Sequence, residues 1–203
     1  GEDTLYIDPT GGADAFVGQK PADVVLVTDI HGDHLSTSTL EAVVGPRTML
    51  IVPQAVKDLL PESLATRAQV LQNGETTTEM DISILAMPMY NLADKENAHF
   101  HAKGRGNGYV LERNGYRVYI AGDTAGTPEV RALKDIDVAF VPMNLPYTMD
   151  IEEAADAVLE FKPKVIYPYH YRGQDGFSDV EKFKQLVEAG NSDMEVVLLN
   201  WYP

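Results

Sequence analysis

Residues 28–35 constrain this chain more than any other segment, because they read Thr-Asp-Ile-His-Gly-Asp-His-Leu. They follow the apolar run 24–27, which predicts a short buried strand, and they precede residues 36–44, where Ser36 predicts a capped helix start. Two aspartates and two histidines therefore share one strand-to-helix loop. Imidazole and carboxylate are the ligands of borderline divalent metals such as zinc, so the loop predicts a metal site. The alternative interpretation is a polar surface loop without function.

The composition limits which classes of molecule such a site is expected to bind. The 203 residues predict one domain with a sizeable core, and no cysteine is present, which excludes disulfides, thiolate ligands and cysteine nucleophiles. A formal net charge of −15 argues against nucleic acid and anionic lipid, and no apolar run approaches a membrane span. We therefore expect a small-molecule substrate, no nucleic acid and no membrane. The sequence leaves homo-oligomer formation open. The composition suits a cytoplasmic or an exported protein.

Apolar runs and turn residues predict the order of the elements. Asn114-Gly115 predicts a hairpin, because Asn-Gly supplies positive φ angles. Helices are predicted at 36–44, 53–60, 128–133, 151–161 and, capped by Ser178, up to 189. The predicted strands are 4–9, 24–27, 48–52, 82–88, 109–112, 116–120, 138–142, 165–170 and 195–199. This order favours two sheets packed as a sandwich with helices outside.

The five histidines all lie at or beyond the end of a predicted strand: His31, His34, His99, His101 and His170. Asp123 likewise follows a strand that stops at a glycine. Taken singly, Asp123 could bond its own turn and His170 could be a structural hydrogen bonder. Taken together, imidazoles and carboxylates on one rim predict a pair of metal sites with a bridging carboxylate, which can share one water.

Three segments resemble the metallo-β-lactamase fold superfamily. Residues 29–34 resemble its His-x-His-x-Asp-His signature, Asp123 its bridging aspartate, and His170 its last histidine. Residues 141–143 and 147–149 resemble a small branch of metal-dependent hydrolases that contains ascorbate-6-phosphate lactonase. The resemblance implies an α/β fold, the four-layer αββα sandwich, and a binuclear centre. The implied ligands are Asp29, His31, Asp33, His34, His101, Asp123 and His170.

The chain departs from that signature at two positions. Asp29 stands where the leading histidine is usual, and an oxygen ligand there shifts the expected metal from zinc toward manganese or iron. The middle histidine normally follows a strand like 82–88, where this chain reads Tyr90-Asn91. We expect His101 to replace it, with His99 and Asn91 as alternatives. One or two divalent ions are expected, zinc first.

The resemblance also implies a reaction, in which a metal-bound hydroxide attacks an ester, lactone or amide. Asp33 would orient the nucleophile or accept its proton. Asn144 and Tyr147 would contact substrate, and Arg105 could hold a substrate anion. The glycine-rich residues 104–108 lack a phosphate-loop ending and are expected to let the backbone pass close to the metals. The alternatives are a phosphodiesterase or nuclease of the same fold and a non-catalytic metal-binding module.

Overall fold

The first sheet of the computed structural model, which describes residues 3–202, contains four parallel strands. They lie side by side in chain order: β1 Leu5–Ile7, β2 Val24–Leu26, β3 Met49–Val52 and β4 Ala68–Val70. All of β2 is buried, which agrees with its continuous apolar run. Parallel strands end at the same edge, so the loops after β1 and β2 meet there.

The second sheet contains seven strands in the order β13-β10-β9-β8-β7-β6-β5. Strands β5 to β8 pair antiparallel, whereas β8, β9, β10 and β13 pair parallel. A separate two-stranded hairpin is formed by β11 and β12. The bounds are β5 Thr76–Glu79, β6 Ile82–Met89, β7 Gly106–Arg113, β8 Tyr116–Ile120, β9 Val138–Pro142, β10 Val165–Tyr169, β11 Arg172–Gly173, β12 Gly176–Phe177 and β13 Glu195–Val196.

Six short to medium helices connect these strands. They are α1 Thr37–Val43, α2 Gln54–Lys57, α3 Glu62–Ala65, α4 Pro128–Arg131, α5 Ile151–Phe161 and α6 Val180–Gly190. As predicted, Ser36 caps α1, its hydroxyl accepting a hydrogen bond from the Thr39 amide. Single 3₁₀ turns lie at Ala13–Phe16 and Glu96–His99. Within residues 3–202, no helix has the length and apolarity that a membrane crossing requires.

Three clusters of apolar side chains lie between the layers and pack them together. Alternate residues of β2 point to opposite faces, so Val25 packs with helix residues such as Leu40, whereas Leu26 packs with Tyr109 of the other sheet. A third cluster joins the outer face of the second sheet to α5 and α6, where Phe161 and Phe183 are buried. These layers confirm the predicted αββα sandwich.

Several local predictions need correction. Asp179, not Ser178, caps α6, since its carboxylate accepts the Lys182 amide whereas the Ser178 hydroxyl donates to the Met143 carbonyl. The helix predicted at 53–60 ends at Lys57, because a second proline at position 61 starts the separate helix α3. The last strand is only two residues long. The Asn114-Gly115 hairpin is confirmed, with φ angles of 54° and 77°.

Candidate metal centre

The candidate residues meet at one rim because each follows the end of a strand. Asp8 follows β1, residues 29–34 follow β2, and His101 lies in the loop between β6 and β7. Asp123 follows β8 and His170 follows β10. His170 has a φ of 45°, which is uncommon for a non-glycine residue and turns its side chain at the end of the strand.

The first set of side chains is Asp29, His31 and His101, called here the Asp29 group. His31 Nδ1 lies 2.7 Å and His101 Nε2 lies 3.9 Å from the same oxygen, Asp29 Oδ2. Asp29 and His101 are buried. Burial lowers the pKa of His31 despite the nearby Asp29 carboxylate, which favours a neutral imidazole able to donate a lone pair.

The second set is Asp33, His34 and His170, called here the Asp33 group. The two imidazole Nε2 atoms lie 3.2 Å apart, and His170 Nε2 is 3.3 Å from Asp33 Oδ2. The hydrogen bond with His170 lowers the pKa of Asp33 to about 2, although partial burial acts in the opposite direction. Asp33 is therefore ionised at neutral pH, and its side chain is 60% exposed.

Asp123 lies between the two groups. Its Oδ2 is 3.2 Å from His101 Nε2 and 3.4 Å from His34 Nε2, and its Oδ1 is 3.3 Å from His170 Nε2. Burial raises the pKa of Asp123, but the surrounding imidazoles outweigh that effect and hold it well below its ordinary value. A buried carboxylate that touches both groups has the placement of a bridging ligand.

Asp8 is a residue that the sequence interpretation missed. Its Oδ2 lies 2.8 Å from His34 Nδ1, and it also accepts hydrogen bonds from the Thr28 amide and hydroxyl. Burial lowers the pKa of His34, but the carboxylates of Asp123 and Asp8 raise it well above its ordinary value. The available signal was position, since Asp8 ends a strand parallel to the one before Asp29.

The donor set fits divalent metal ions. Two buried atoms that face the centre, His101 Nε2 and Asp123 Oδ1, make no hydrogen bond among the described residues, although each lies 3.2–3.3 Å from an atom of a neighbouring candidate ligand. Ligand atoms bound tetrahedrally at about 2.0–2.1 Å are separated by about 3.3 Å. The observed separations around Asp123, 3.2–3.4 Å, match that spacing. Unpartnered lone pairs at this distance are what a bound cation would satisfy.

The sequence left His101, His99 and Asn91 as alternatives for the middle histidine of the signature. Of these three, His101 lies beside Asp123 in the candidate centre. His99 is exposed and its Nδ1 contacts the Glu96 carbonyl, 2.9 Å away, so it lies outside the centre. The Asn91 amide donates to the carbonyls of Tyr147 and Asn97, and its nitrogen is 3.2 Å from His101 Nδ1. Asn91 therefore supports the loop that carries His101.

Arg105 lies behind Asp29. Its Nε and Nη2 atoms donate to the two Asp29 carboxylate oxygens at 3.2 and 3.1 Å, and Nη2 also donates to the Phe100 carbonyl. These contacts direct Nε and Nη2 to Asp29 and Phe100, and Arg105, which the sequence interpretation had offered to a substrate anion, is not in the lining of the cavity over the centre. The glycine-rich stretch passes close to the residue before Asp29, because a Cβ on Gly106 would lie 2.8 Å from the Thr28 carbonyl oxygen.

A cavity of about 380 Å³ opens over both groups. Tyr147 and Phe100 form one wall, their rings packed edge to face at 5.1 Å. Asn144 is buried in the same lining, and its Nδ2 is 3.4 Å from His170 Nδ1. The complete lining is His31, Asp33, Phe100, His101, Asp123, Asn144 and Tyr147.

This sandwich, with paired His and Asp groups at its strand ends, has the metallo-β-lactamase fold, and together with the relatives named next it identifies a metal-dependent hydrolase. The chain belongs to the β-lactamase superfamily, whose domain profile matches residues 1–170. A UPF0173 metal-dependent hydrolase from Archaeoglobus fulgidus is 31% identical over 96% of this chain and 88% of its own length. The corresponding Thermococcus onnurineus protein is 28% identical over 98% and 90%. A crystal structure from Parabacteroides distasonis, also described as a metal-dependent hydrolase, superposes with a TM-score of 0.84. It is 36% identical and covers 97% of this chain and 84% of that one.

Proposed function

We propose that this hydrolase cleaves a small ester, lactone or amide. The observation that carries the proposal is the 380 Å³ cavity, which spans both groups and has no lysine or arginine in its lining among the described residues. A cavity with aromatic walls and no such cation suits an uncharged carbonyl group better than a phosphodiester. Its volume suits a compact substrate.

The two groups would hold one divalent ion each, with Asp123 shared. Bound metal ions would supply Lewis acidity and an acidified water, which is the chemistry that hydrolysis of a carbonyl substrate needs. Zinc suits the imidazole ligands, and the Asp29 oxygen favours manganese or iron as alternatives. The buried lone pairs of His101 and Asp123 support this assignment.

Asp33 is the proposed catalytic residue. Its carboxylate lines the cavity, is exposed toward it, and stays ionised because the hydrogen bond with His170 lowers its pKa to about 2. An ionised carboxylate beside the reacting water orients that water by accepting its hydrogen bond. Asp33 thus positions the nucleophile against the carbonyl carbon.

The opposite wall positions the substrate. Phe100 and Tyr147 offer flat apolar faces that exclude bulk water and pack against the substrate body. Asn144 holds His170 through its amide. The carbonyls of Tyr147 and Thr148 accept hydrogen bonds from Asn91 and Asn97, which ties the Tyr147 loop to the loop that carries His101.

The test is a substrate screen with metal-free and metal-reconstituted protein. Nitrophenyl esters, lactones of several ring sizes, anilides and a nitrophenyl phosphodiester would be assayed with zinc, manganese and iron. We expect turnover of at least one carbonyl class, lost on chelation and restored by metal. Turnover confined to the phosphodiester would overturn the proposal.

A phosphodiesterase is the second candidate function, and the position of Arg172 favours it. Arg172 lies in the lining of a neighbouring recess of about 600 Å³ that also includes Asp33, His34 and His170. A free guanidinium there could neutralise a phosphate. Arg172 instead packs over the Tyr202 ring, 4.8 Å from its centroid, so we rank this function second. In the same screen, Arg172→Gln would abolish phosphodiester turnover if this candidate were correct.

A further inference from the structure

Asp29 is a fully buried carboxylate whose charge is matched by one arginine. Its side chain is 0% exposed, and that of Arg105 is 21% exposed. The guanidinium meets both oxygens in a fork, the geometry in which arginine binds carboxylates most strongly. Removing one partner from such a buried pair leaves the other charge without compensation.

Arg105 is held in this position by its own loop. Gly104 has a φ of 87°, which allows a tight turn, and the Arg105 amide donates to the Ala102 carbonyl across that turn. The Phe100 carbonyl accepts a further hydrogen bond from Nη2. The guanidinium therefore has fixed partners on two sides.

The two groups consequently differ in charge. In the Asp29 group, Arg105 cancels the only carboxylate apart from the shared Asp123. In the Asp33 group, Asp33 keeps its full charge, and Asp8 adds a second carboxylate beneath His34. Apart from the imidazoles, the basic side chain that pairs with one of these carboxylates, among the described residues, is Arg105. A dication is attracted more strongly to the site with the larger negative charge.

We propose that Arg105 sets unequal metal affinities in the two groups by competing with metal for the Asp29 carboxylate. The Asp33 group fills first, and the Asp29 group fills only at higher metal concentration. Arg105 acts through Asp29, so it is a positioning residue. The inference rests on the metal centre of the proposed function and adds the order in which its two sites fill.

The experiment is a calorimetric titration of chelated, metal-free protein with Zn²⁺ and separately with Mn²⁺. Wild type should show two binding events whose dissociation constants differ by about tenfold or more. His31→Ala should remove the weaker event, which assigns it to the Asp29 group. In Arg105→Gln the dissociation constant of the weaker event should fall by about tenfold or more, because the cation that competes with the metal is removed. The dissociation constant of the tighter event should stay within about threefold of the wild-type value, since the Arg105 side chain hydrogen-bonds Asp29 and Phe100 and not, among the described residues, the Asp33 group.

Thermal denaturation of the same metal-free proteins supplies a second measurement. Without metal, Arg105→Gln should melt at a lower temperature than wild type, because Asp29 is then buried without a counter-charge. Added metal should raise the melting temperature of Arg105→Gln by more than that of wild type. Arg113→Gln is the matched control, since Arg113 pairs with Asp3 away from the centre, and it should change neither binding event.

Each other result has a defined meaning. If Arg105→Gln weakens or leaves unchanged the weaker event, or if wild type binds two metals with equal affinity, the inference is wrong while the metal centre stands. If wild type binds no metal, the centre and the inference fail together. If Arg105→Gln does not fold, Arg105→Lys keeps the charge but loses the fork, and it should tighten the weaker event by a smaller factor. An unchanged event in Arg105→Lys would then overturn the inference.

Discussion

Asp8 Oδ2 accepts the hydrogen bond that orients His34, at 2.8 Å from Nδ1, and so directs His34 Nε2 toward Asp123. A carboxylate behind a metal-binding histidine fixes its tautomer and ring orientation and strengthens it as a ligand. Asp8 thus connects the end of β1 to the candidate centre.

The first prediction concerns this contact. Asp8→Asn should weaken metal binding by the Asp33 group about 10- to 100-fold, because the charge behind His34 is lost. Asparagine tolerates the φ of 48° at this position, so the backbone should be retained. Competition with a metal-sensitive dye measures the affinity. Asp14→Asn, an exposed site in the first 3₁₀ turn, is the control, and equal affinities in both variants would contradict a supporting role for Asp8.

The second prediction separates two histidines of one loop. His101→Ala should remove about one equivalent of bound metal, because its Nε2 is unpartnered and faces Asp123. His99→Ala should keep the full content, since the exposed His99 has its Nδ1 on the Glu96 carbonyl of its own turn and its ring against Phe100. Elemental analysis after reconstitution gives both numbers. Metal loss in His99→Ala alone would reverse the assignment.

The third prediction tests Asp33 as the catalytic residue. Asp33→Asn keeps the shape but removes the charge, and kcat should fall by about 10²-fold or more with a much smaller change in KM. Rates are measured on the best substrate of the screen at matched metal loading, because Asp33 is also a proposed ligand. Equal kcat values in the two proteins would rule out this role.

The fourth prediction concerns stability away from the centre. Asp137 accepts hydrogen bonds from Lys164 Nζ at 2.6 Å and from the Arg117 amide at 2.8 Å, and these bonds lower its pKa. A lowered folded-state pKa contributes stability above the unfolded pKa of about 4, and this contribution is lost as pH falls through the folded pKa. Asp137→Asn should therefore cost about 0.5–1 kcal/mol at pH 7, because solvent screens the pair with the exposed Lys164, and the difference should shrink below about pH 4.

Urea denaturation of wild type and Asp137→Asn across pH 3–7 checks this prediction. Asp135→Asn, an exposed aspartate two residues earlier, is the control and should have little effect. A constant difference between Asp137→Asn and wild type over the whole range would show that charge is not responsible.

The sequence alone determined the layer order and the rim on which the candidate metal ligands lie. Buried strands, the Ser36 cap and the Asn114-Gly115 hairpin depend on local propensity and apolar period, which neighbouring residues specify. The end of a strand is also a local property, so the candidate ligands of the loop after β2, together with Asp123 and His170, could be named in advance. The end of α2 was predicted less accurately, because Pro61 starts a separate helix and the residues before it leave the helical conformation.

Only the tertiary structure decided which side chains meet. Asp8 reaches His34 across 26 positions, and Arg105 reaches Asp29 across 76. No local pattern encodes these pairs, because each depends on how strands distant in sequence are placed side by side. The choice of His101 over His99 has the same origin, since the loop that carries both is fixed by hydrogen bonds from Asn91. The Asp29 carboxylate is fully buried and therefore requires a compensating charge, which Arg105 supplies.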